Sequence, residues 1–574
     1  MSNTANIFRL AAAVTALAGG TLLHAQTGDQ YFINGVYNPT LADVKKIDLQ
    51  PEAYDSIIPA KPIDYALLNV TGQVPVHVDS IEAAKLNIQL AQEKLYKGFV
   101  KAGFGLYTTP LVEAYYDQTR SRDNGYGLHY KHMSSNGGVG DRGPSDYSAN
   151  HIDAYYNAYM RKHAVEGRAI YDRKRVSYYG YPSTDSLENL ILVSPKAPDD
   201  ALKQIYNDIG FAVRVKSLYK DSTKLAHNAG LEVHNFTNLT GSRELNVKLD
   251  ADLAMEQGTE TYGGQVLIDN NAYRGERGDS LAELRQNGTM VGLSPFVSTT
   301  NGKYLVKVGA GIFIDALGKT TFHFYPQAHL QYRLFDDILV PYIGVDGKRI
   351  RNSFRSLAND NPFINGAPLL ANSSLMYDLY GGLRGSLGHD IGFDVRISKS
   401  QMKDRPLYIG QEYQFDSVRH GDQFITVYDR VDQLDIGGEL RYSHDEHIDI
   451  HGGLHLFSFE TDLQAEAWNL PTYTINLGGT YDFQDKLLLK IEARFVGMRK
   501  ATLPVSQGWN DLSAVPTAVD AKGYVDLYLG LEYRYTKRFS VFLDASNLSA
   551  SKYERWYNYS AQRALVLGGA TYAF

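Results

Sequence analysis

The stretch AQRALVLGGATYAF, from Ala561 to Phe574, decides the fold. Read with a period of two, it sets Ala564, Val566, Gly568, Ala570, Tyr572 and Phe574 on one face of a strand. A small or apolar face that ends on an aromatic residue is the ending of an outer-membrane β-barrel, in which the last strand pairs with the first and leaves no open edge. Tyr572 and Phe574 are then the expected membrane-insertion signal, with the barrel-insertion machinery and outer-membrane lipid as the first partners.

The opposite end agrees. Arg9 precedes an apolar run from Leu10 to Leu23 that finishes in the small-residue boundary Leu23-His24-Ala25. This reads as a secretory signal peptide over residues 1–25, cleaved between Ala25 and Gln26. The run is too short to be preferred as a membrane-spanning helix, and no long uncharged apolar stretch follows, so any crossing of a membrane is by strands. The chain has no cysteine, which excludes a lipid anchor at the cleavage site, disulfides and thiolate metal sites. Its 42 Tyr and 52 Gly in 574 residues suit strands that face lipid on one side and water on the other, with tyrosine in the interfacial girdles. A formal net charge of −7 argues against a nucleic-acid partner.

Alternation is clearest from Glu244 to Met255, where Leu245, Val247, Leu249, Ala251 and Leu253 oppose Glu244, Asn246, Lys248, Asp250 and Asp252. From Phe322 to Leu334, Phe322, Phe324 and Leu330 likewise oppose His323, Gln327, His329 and Gln331. A soluble sandwich or propeller also alternates, but strands sustained for about ten or more residues match a tilted membrane strand. A basic residue is accordingly expected to be tolerated at Asn246, Gln331 or Glu532 and costly at Leu249, Leu330 or Leu531.

With Phe574 placed in the periplasm, tight inner turns are expected near Thr536-Lys537, Gln484-Asp485, Ser443-His444, Gly388-His389, Phe335-Asp336, Asn301-Gly302, Gln257-Gly258, Asp221-Ser222, Lys162-His163 and Arg122-Asp123. Long outer insertions are expected at 134–147, 174–203, 271–287, 349–371, 403–428, 458–469, 499–519 and 548–560. Residues 97–574 therefore form an all-β, antiparallel transmembrane barrel of about 22 strands, or 20 if the hairpin holding Tyr262 to Asn270 is lost. Residues 26–96 change in character. Pro39, Pro51, Pro59, Pro62 and Pro75 interrupt any regular element, and the segment is too short for a plug with its own core. It reads as an extended periplasmic or luminal arm with one helical turn set from Ile81 to Tyr96.

Leu529-Gly530-Leu531-Glu532-Tyr533, Phe539, Asn547-Leu548, Tyr553, Trp556, Arg563 and Tyr572-Ala573-Phe574 resemble the closing hairpins of TonB-dependent receptor barrels. A second resemblance, to a plugless, receptor-like group of outer-membrane barrels, runs across most of the chain. Its marks are Gly35-Val36-Tyr37-Asn38-Pro39 with Lys46-Ile47, then Gly98-Phe99-Val100-Lys101-Ala102-Gly103-Phe104-Gly105, and Asn361-Pro362-Phe363 in an outer loop. The resemblance implies a non-enzymatic barrel acting in transport or assembly at the outer membrane, with periplasmic or outer-membrane protein partners. The departures from a true receptor are the missing complete plug and the missing energy-coupling segment. A stand-alone solute receptor, a diffusion channel and, more remotely, an outer-membrane hydrolase are the alternatives.

Candidate chemistry is sparse, and no cofactor is expected. His447, Asp449, His451 and His455 share a strand face and could hold a divalent cation, yet strand spacing fans ligands along a line, so a polar luminal stripe explains them as well. No Gly-x-Ser-x-Gly elbow, His-Glu-x-x-His or phosphate-binding loop occurs. Tyr178, Tyr179, Tyr181, Trp509 and Trp556 in outer loops could stack on sugars or on a partner, or simply pack loop against loop.

Overall fold

A lipid bilayer offers no hydrogen-bond partner to a strand edge, so a sheet that crosses it has to close on itself. The computed structural model describes residues 95–574 apart from 119–120, 140–141, 181–201, 277–282, 336–337, 416–417 and 506–515. The expected signal peptide and nearly all of the arm lie outside the described residues. Twenty-two strands form one sheet. Each pairs antiparallel with its neighbours along the barrel, and the last, Leu565–Ala573, pairs with the first, Gly98–Gly105, in the register Val100↔Tyr572 and Phe104↔Gly568. At this seam the Phe574 carbonyl accepts from the N–H groups of Lys97 and Gly98, both at 2.9 Å, and the Phe574 N–H donates to the Gly98 carbonyl at 2.9 Å. The Phe574 ring lies over Gly98 so closely that a Cβ there would sit 2.2 Å from it, which explains a glycine at this point of the seam.

All ten inner turns fall where the sequence places them, from the link between Thr109–Gln118 and Asn124–Ser135 to that between Tyr524–Arg534 and Phe539–Ser546. Several carry the positive φ that a tight hairpin needs: 70° at Gly258, 85° at Gly388, and 55° at both Gln484 and Asp485. The strand expected around Tyr262 to Asn270 is a full one, Glu260–Gly275, so the count is 22 and not 20.

The two faces separate by side chain. Leu249, Leu330, Phe322, Phe211 and Val395 point outward and are exposed. Asn246 and Gln331 point inward, but they are not open luminal positions, being 7% and 6% exposed. Asn246 donates to Asp269 at 2.8 Å, and Gln331 accepts from Arg384. The expected tolerance of a basic residue at these two sites is therefore corrected. Alternation marks which face a residue takes and says nothing of what the lumen packs against it.

A second correction concerns 403–428, expected as a loop. The chain there continues as two long strands, Ile391–Phe415 and Val418–His444, paired from Arg405↔Asp429 to Phe415↔Val418. At 25 and 27 residues they exceed the roughly 9–11 that cross a bilayer, so their upper half stands beyond the membrane. Both faces of that half are covered. Leu407, Ile409, Ile425 and Val427 pack with Trp468 of the next outer loop, while Tyr408 and Phe424 pack on the opposite side. A strand buried on both faces reads as a continuous apolar run, which hides its period. The segments 499–519 and 548–560 also hold short hairpins, Arg499–Thr502 with Ala518–Ala521 and Glu554–Trp556 with Tyr559–Ser560.

Leu249→Arg or Leu330→Arg should destabilise the barrel by about 2–4 kcal/mol if the site lies near the midplane. His451→Arg, on an open luminal position, should stay within about 0.5 kcal/mol. Urea unfolding from vesicles measures both; equal losses on the two faces would refute the lipid-facing assignment.

Candidate functional site: a loop seated in the outer mouth

The largest buried cluster of the described residues is not in the wall but between the wall and one outer loop, residues 351–372. This loop carries the one helix among the described residues, Phe354–Asp360, whose Phe354, Leu357 and Ala358 are buried. Ser353 caps its start by accepting from the Ser356 N–H at 3.1 Å, and the Ser356 hydroxyl accepts from the Ser353 N–H at 2.9 Å. Phe354 is packed among Tyr206, Phe236 and Tyr273, its ring 5.1 Å from that of Phe236 and 5.5 Å from that of Tyr273. Ile364, Leu370 and Val176 join the same cluster. These wall residues sit at the outer ends of successive strands, so the loop is folded inward across the mouth of the barrel.

Charge fixes its position. Glu244, 1% exposed, reaches from the wall to accept from the N–H groups of Phe354 at 2.6 Å and Arg355 at 3.3 Å, the open donors of the helix start. Two arginines of the loop dock on wall aspartates, Arg351 on Asp269 at 3.3 Å and Arg355 on Asp208 at 3.3 Å, and Arg349, at the end of the strand Val340–Ile350 that leads into the loop, pairs with Asp315 at 2.7 Å. Asn372 donates twice to Asp315, at 3.0 and 2.8 Å. His234 holds the same Asp208 at 3.0 Å.

The loop's backbone is pinned as tightly. Tyr178, Tyr206 and Asn238 donate to the carbonyls of Ile364, Pro362 and Gly366 at 2.8, 3.1 and 3.0 Å. Gln286 both donates to and accepts from Leu370, at 2.9 and 2.8 Å. On the far side Asn365 and Phe363 bond the backbone of Phe424 in the projecting hairpin, at 2.8 and 2.9 Å. Phe363 stacks on Tyr559 with ring centres 3.8 Å apart, which joins the last outer loop to the cap. Burial holds the Tyr559 hydroxyl well above its ordinary pKa, so it stays a neutral donor, here to the Asp422 carbonyl.

The aromatic candidates sort accordingly. Tyr178, Tyr179 and Trp556 pack loop on loop, Tyr179 against Tyr559 at 4.9 Å and Trp556 against Tyr408 at 5.1 Å; Tyr181 and Trp509 lie outside the described residues. The four metal candidates are not gathered. Asp449 is held by Arg441 at 2.6 Å and His455 by Asp435 at 3.1 Å, while His451 approaches only Asp449, at 3.6 Å. His447 stands in an inner turn near Asp482 and Asp485, and Asp482 is already paired with Arg534 at 2.7 Å. Asn361-Pro362-Phe363, read as an outer-loop mark, lies in the cap, with Asn361 ending the helix. The wall carboxylates were missed by the sequence reading; the one available signal was the spacing of basic residues at Arg349, Arg351 and Arg355 within an expected loop.

No family model matches the sequence, and no curated protein does. Solved structures do match in fold. The FrpB iron transporter from Neisseria meningitidis aligns with a TM-score of 0.63 at 11% identity, over 84% of this chain and 82% of that one. The siderophore receptor PirA from Acinetobacter baumannii gives 0.62 at 11% identity, over 84% and 81%. The copper transporter OprC gives 0.58 at 10%, also over 84% and 81%. The molecule is thus a large outer-membrane β-barrel. Its fold is that of the TonB-dependent receptor barrels.

Glu244→Ala should leave two buried N–H groups of the helix start without an acceptor, a loss of about 1–3 kcal/mol concentrated in the cap. Trypsin should then cut after Arg351 or Arg355 in the variant and spare the parent, with the barrel still heat-modifiable on a gel. Equal resistance of both proteins would show that the carboxylate does not hold the loop.

Proposed function

We propose that this chain is a non-enzymatic, receptor-like barrel acting in transport or assembly at the outer membrane together with other envelope proteins. The observation that carries the reading is the seated loop. A barrel of this width leaves a lumen that must be filled to avoid leakage, and here wall, cap and last outer loop are joined by buried aromatic and ionic contacts on the receptor fold. Structures of the same fold include a complex of FpvAI with pyocin S2, which supports a protein partner for a barrel of this fold. No nucleophile–base pair, cofactor or metal is part of this reading.

In this proposal residues 1–25 are a signal peptide and residues 26–96 an arm without a complete plug, which docks to a periplasmic partner or enters the lumen from below. Tyr572 and Phe574 act as the insertion signal. Phe574→Asp should lower the amount of membrane-embedded protein several-fold while secretion continues, and unchanged insertion would remove that role.

The reading itself is tested by pull-down of the tagged full-length chain in mild detergent, followed by mass spectrometry. Envelope partners in fixed stoichiometry are expected, and deletion of residues 26–94 should release the periplasmic ones. A lone monomer with or without the arm would overturn the partner role in favour of a stand-alone receptor.

A further inference from the structure

A cavity of about 740 Å³ lies beside the cap, bounded by Asn352 and Asp360 of the loop, the luminal wall and the outer loops that carry Trp468 and Trp556. Five arginines line it against three aspartates. The aspartates are each held already: Asp360 by the Tyr408 hydroxyl at 2.6 Å, Asp378 by Arg396 at 2.8 Å, and Asp435 by His455 at 3.1 Å. Only Arg396 among the arginines thereby has a carboxylate.

The other four do not. Arg405 donates to the Gln433 amide oxygen at 2.8 Å. Arg499, 6% exposed, gives both terminal nitrogens to the carbonyls of Glu554 and Arg555, and its buried Nε has no hydrogen-bond partner. Burial draws its pKa below the ordinary arginine value, with Tyr524 and Glu554 opposing the shift and the Arg555 guanidinium adding to it. Arg494 and Arg555 line the cavity with no ion pair or hydrogen bond from their side chains among the described residues. Four guanidinium groups that line one cleft with no carboxylate of their own in an ion pair are unfavourable, and each presents a planar fork that fits a carboxylate or phosphoryl group.

We propose that this cavity binds a small solute bearing two or more carboxylate or phosphoryl groups, gripped by Arg494 and Arg555, flanked by Arg405 and Arg499, and covered by Trp468 and Trp556. The volume lies in the range of small-molecule sites. The inference deepens the transport side of the proposed function and rests on it.

The test is equilibrium binding to the purified full-length protein in neutral detergent at low salt, read by tryptophan fluorescence, with citrate and pyrophosphate as separate probes and trehalose as a neutral one. A saturable change with citrate, pyrophosphate or both, weakening with added salt and absent with trehalose, is expected. Arg494→Gln and Arg555→Gln should each raise Kd about tenfold or more. Arg441→Gln, a luminal arginine already paired with Asp449, should leave Kd unchanged. The proposal falls if neither anion gives a saturable change, or if the Arg494→Gln, Arg555→Gln double variant, still heat-modifiable, binds as the parent does. Because the readout needs no partner, its failure would leave the pull-down result standing, and a lone monomer in the pull-down would leave the binding result standing.

Discussion

Closure of the sheet is the constraint on which everything else depends. Within lipid a peptide group has no partner but another peptide group, so a membrane sheet is stable only when its first and last strands meet. Here they meet through Gly98–Gly105 and Leu565–Ala573, and the pairing runs on to Phe574. The glycine at position 98 lets the terminal aromatic ring lie flat across the joint. Once the ring of strands is closed, each side chain has one of two environments, and the period of two sorts them without further instruction.

What the closed wall cannot do is fill itself. The outer mouth is filled by a loop whose placement is specified by charge more than by apolar area. Asp208, Glu244, Asp269 and Asp315 stand on different strands and meet Arg355, the helix start, Arg351 and Asn372 of the loop in that order. Buried ion pairs of this kind add little net stability, because desolvation offsets most of the attraction. Their effect is on register: a loop displaced by one residue would leave several buried charges unpaired at once. Apolar contacts by Phe354 and Ile364 then supply the burial that holds the loop down.

The barrel was legible in the sequence because its rule is local. Ten tight turns and the alternation between them followed from residues a few positions apart, and the strand count followed from the turns. The projecting hairpin was not legible. Leu407-Tyr408-Ile409 and Phe424-Ile425-Thr426-Val427 are covered on both faces, so period gave no sign of a strand. The cap was half legible: Asn361-Pro362-Phe363 stood out, while the carboxylates that receive the arginines are scattered over more than a hundred residues and meet only after closure. The histidine row from His447 to His455 illustrates the converse. It was conspicuous in sequence, yet Asp449 and His455 are each held by a residue of the adjacent strand, and His447 faces the next inner turn.

The two sides of the lumen's outer half differ in a way that hydrophobic burial does not explain. On the side of the cap every arginine of the loop has its aspartate. Across from it, at the wall made by Ile391–Phe415, Tyr473–Phe483 and Leu487–Val496 and the loops above them, arginines outnumber the carboxylates and those carboxylates are already engaged. A cleft with an excess of one sign and low-dielectric walls concentrates its field and draws counter-ions into it. A loop fixed by matched charges next to a wall of unmatched ones is therefore a division of labour. The matched pairs keep the mouth in one conformation, and that rigidity lets the unmatched guanidinium groups stay close together instead of moving apart into water.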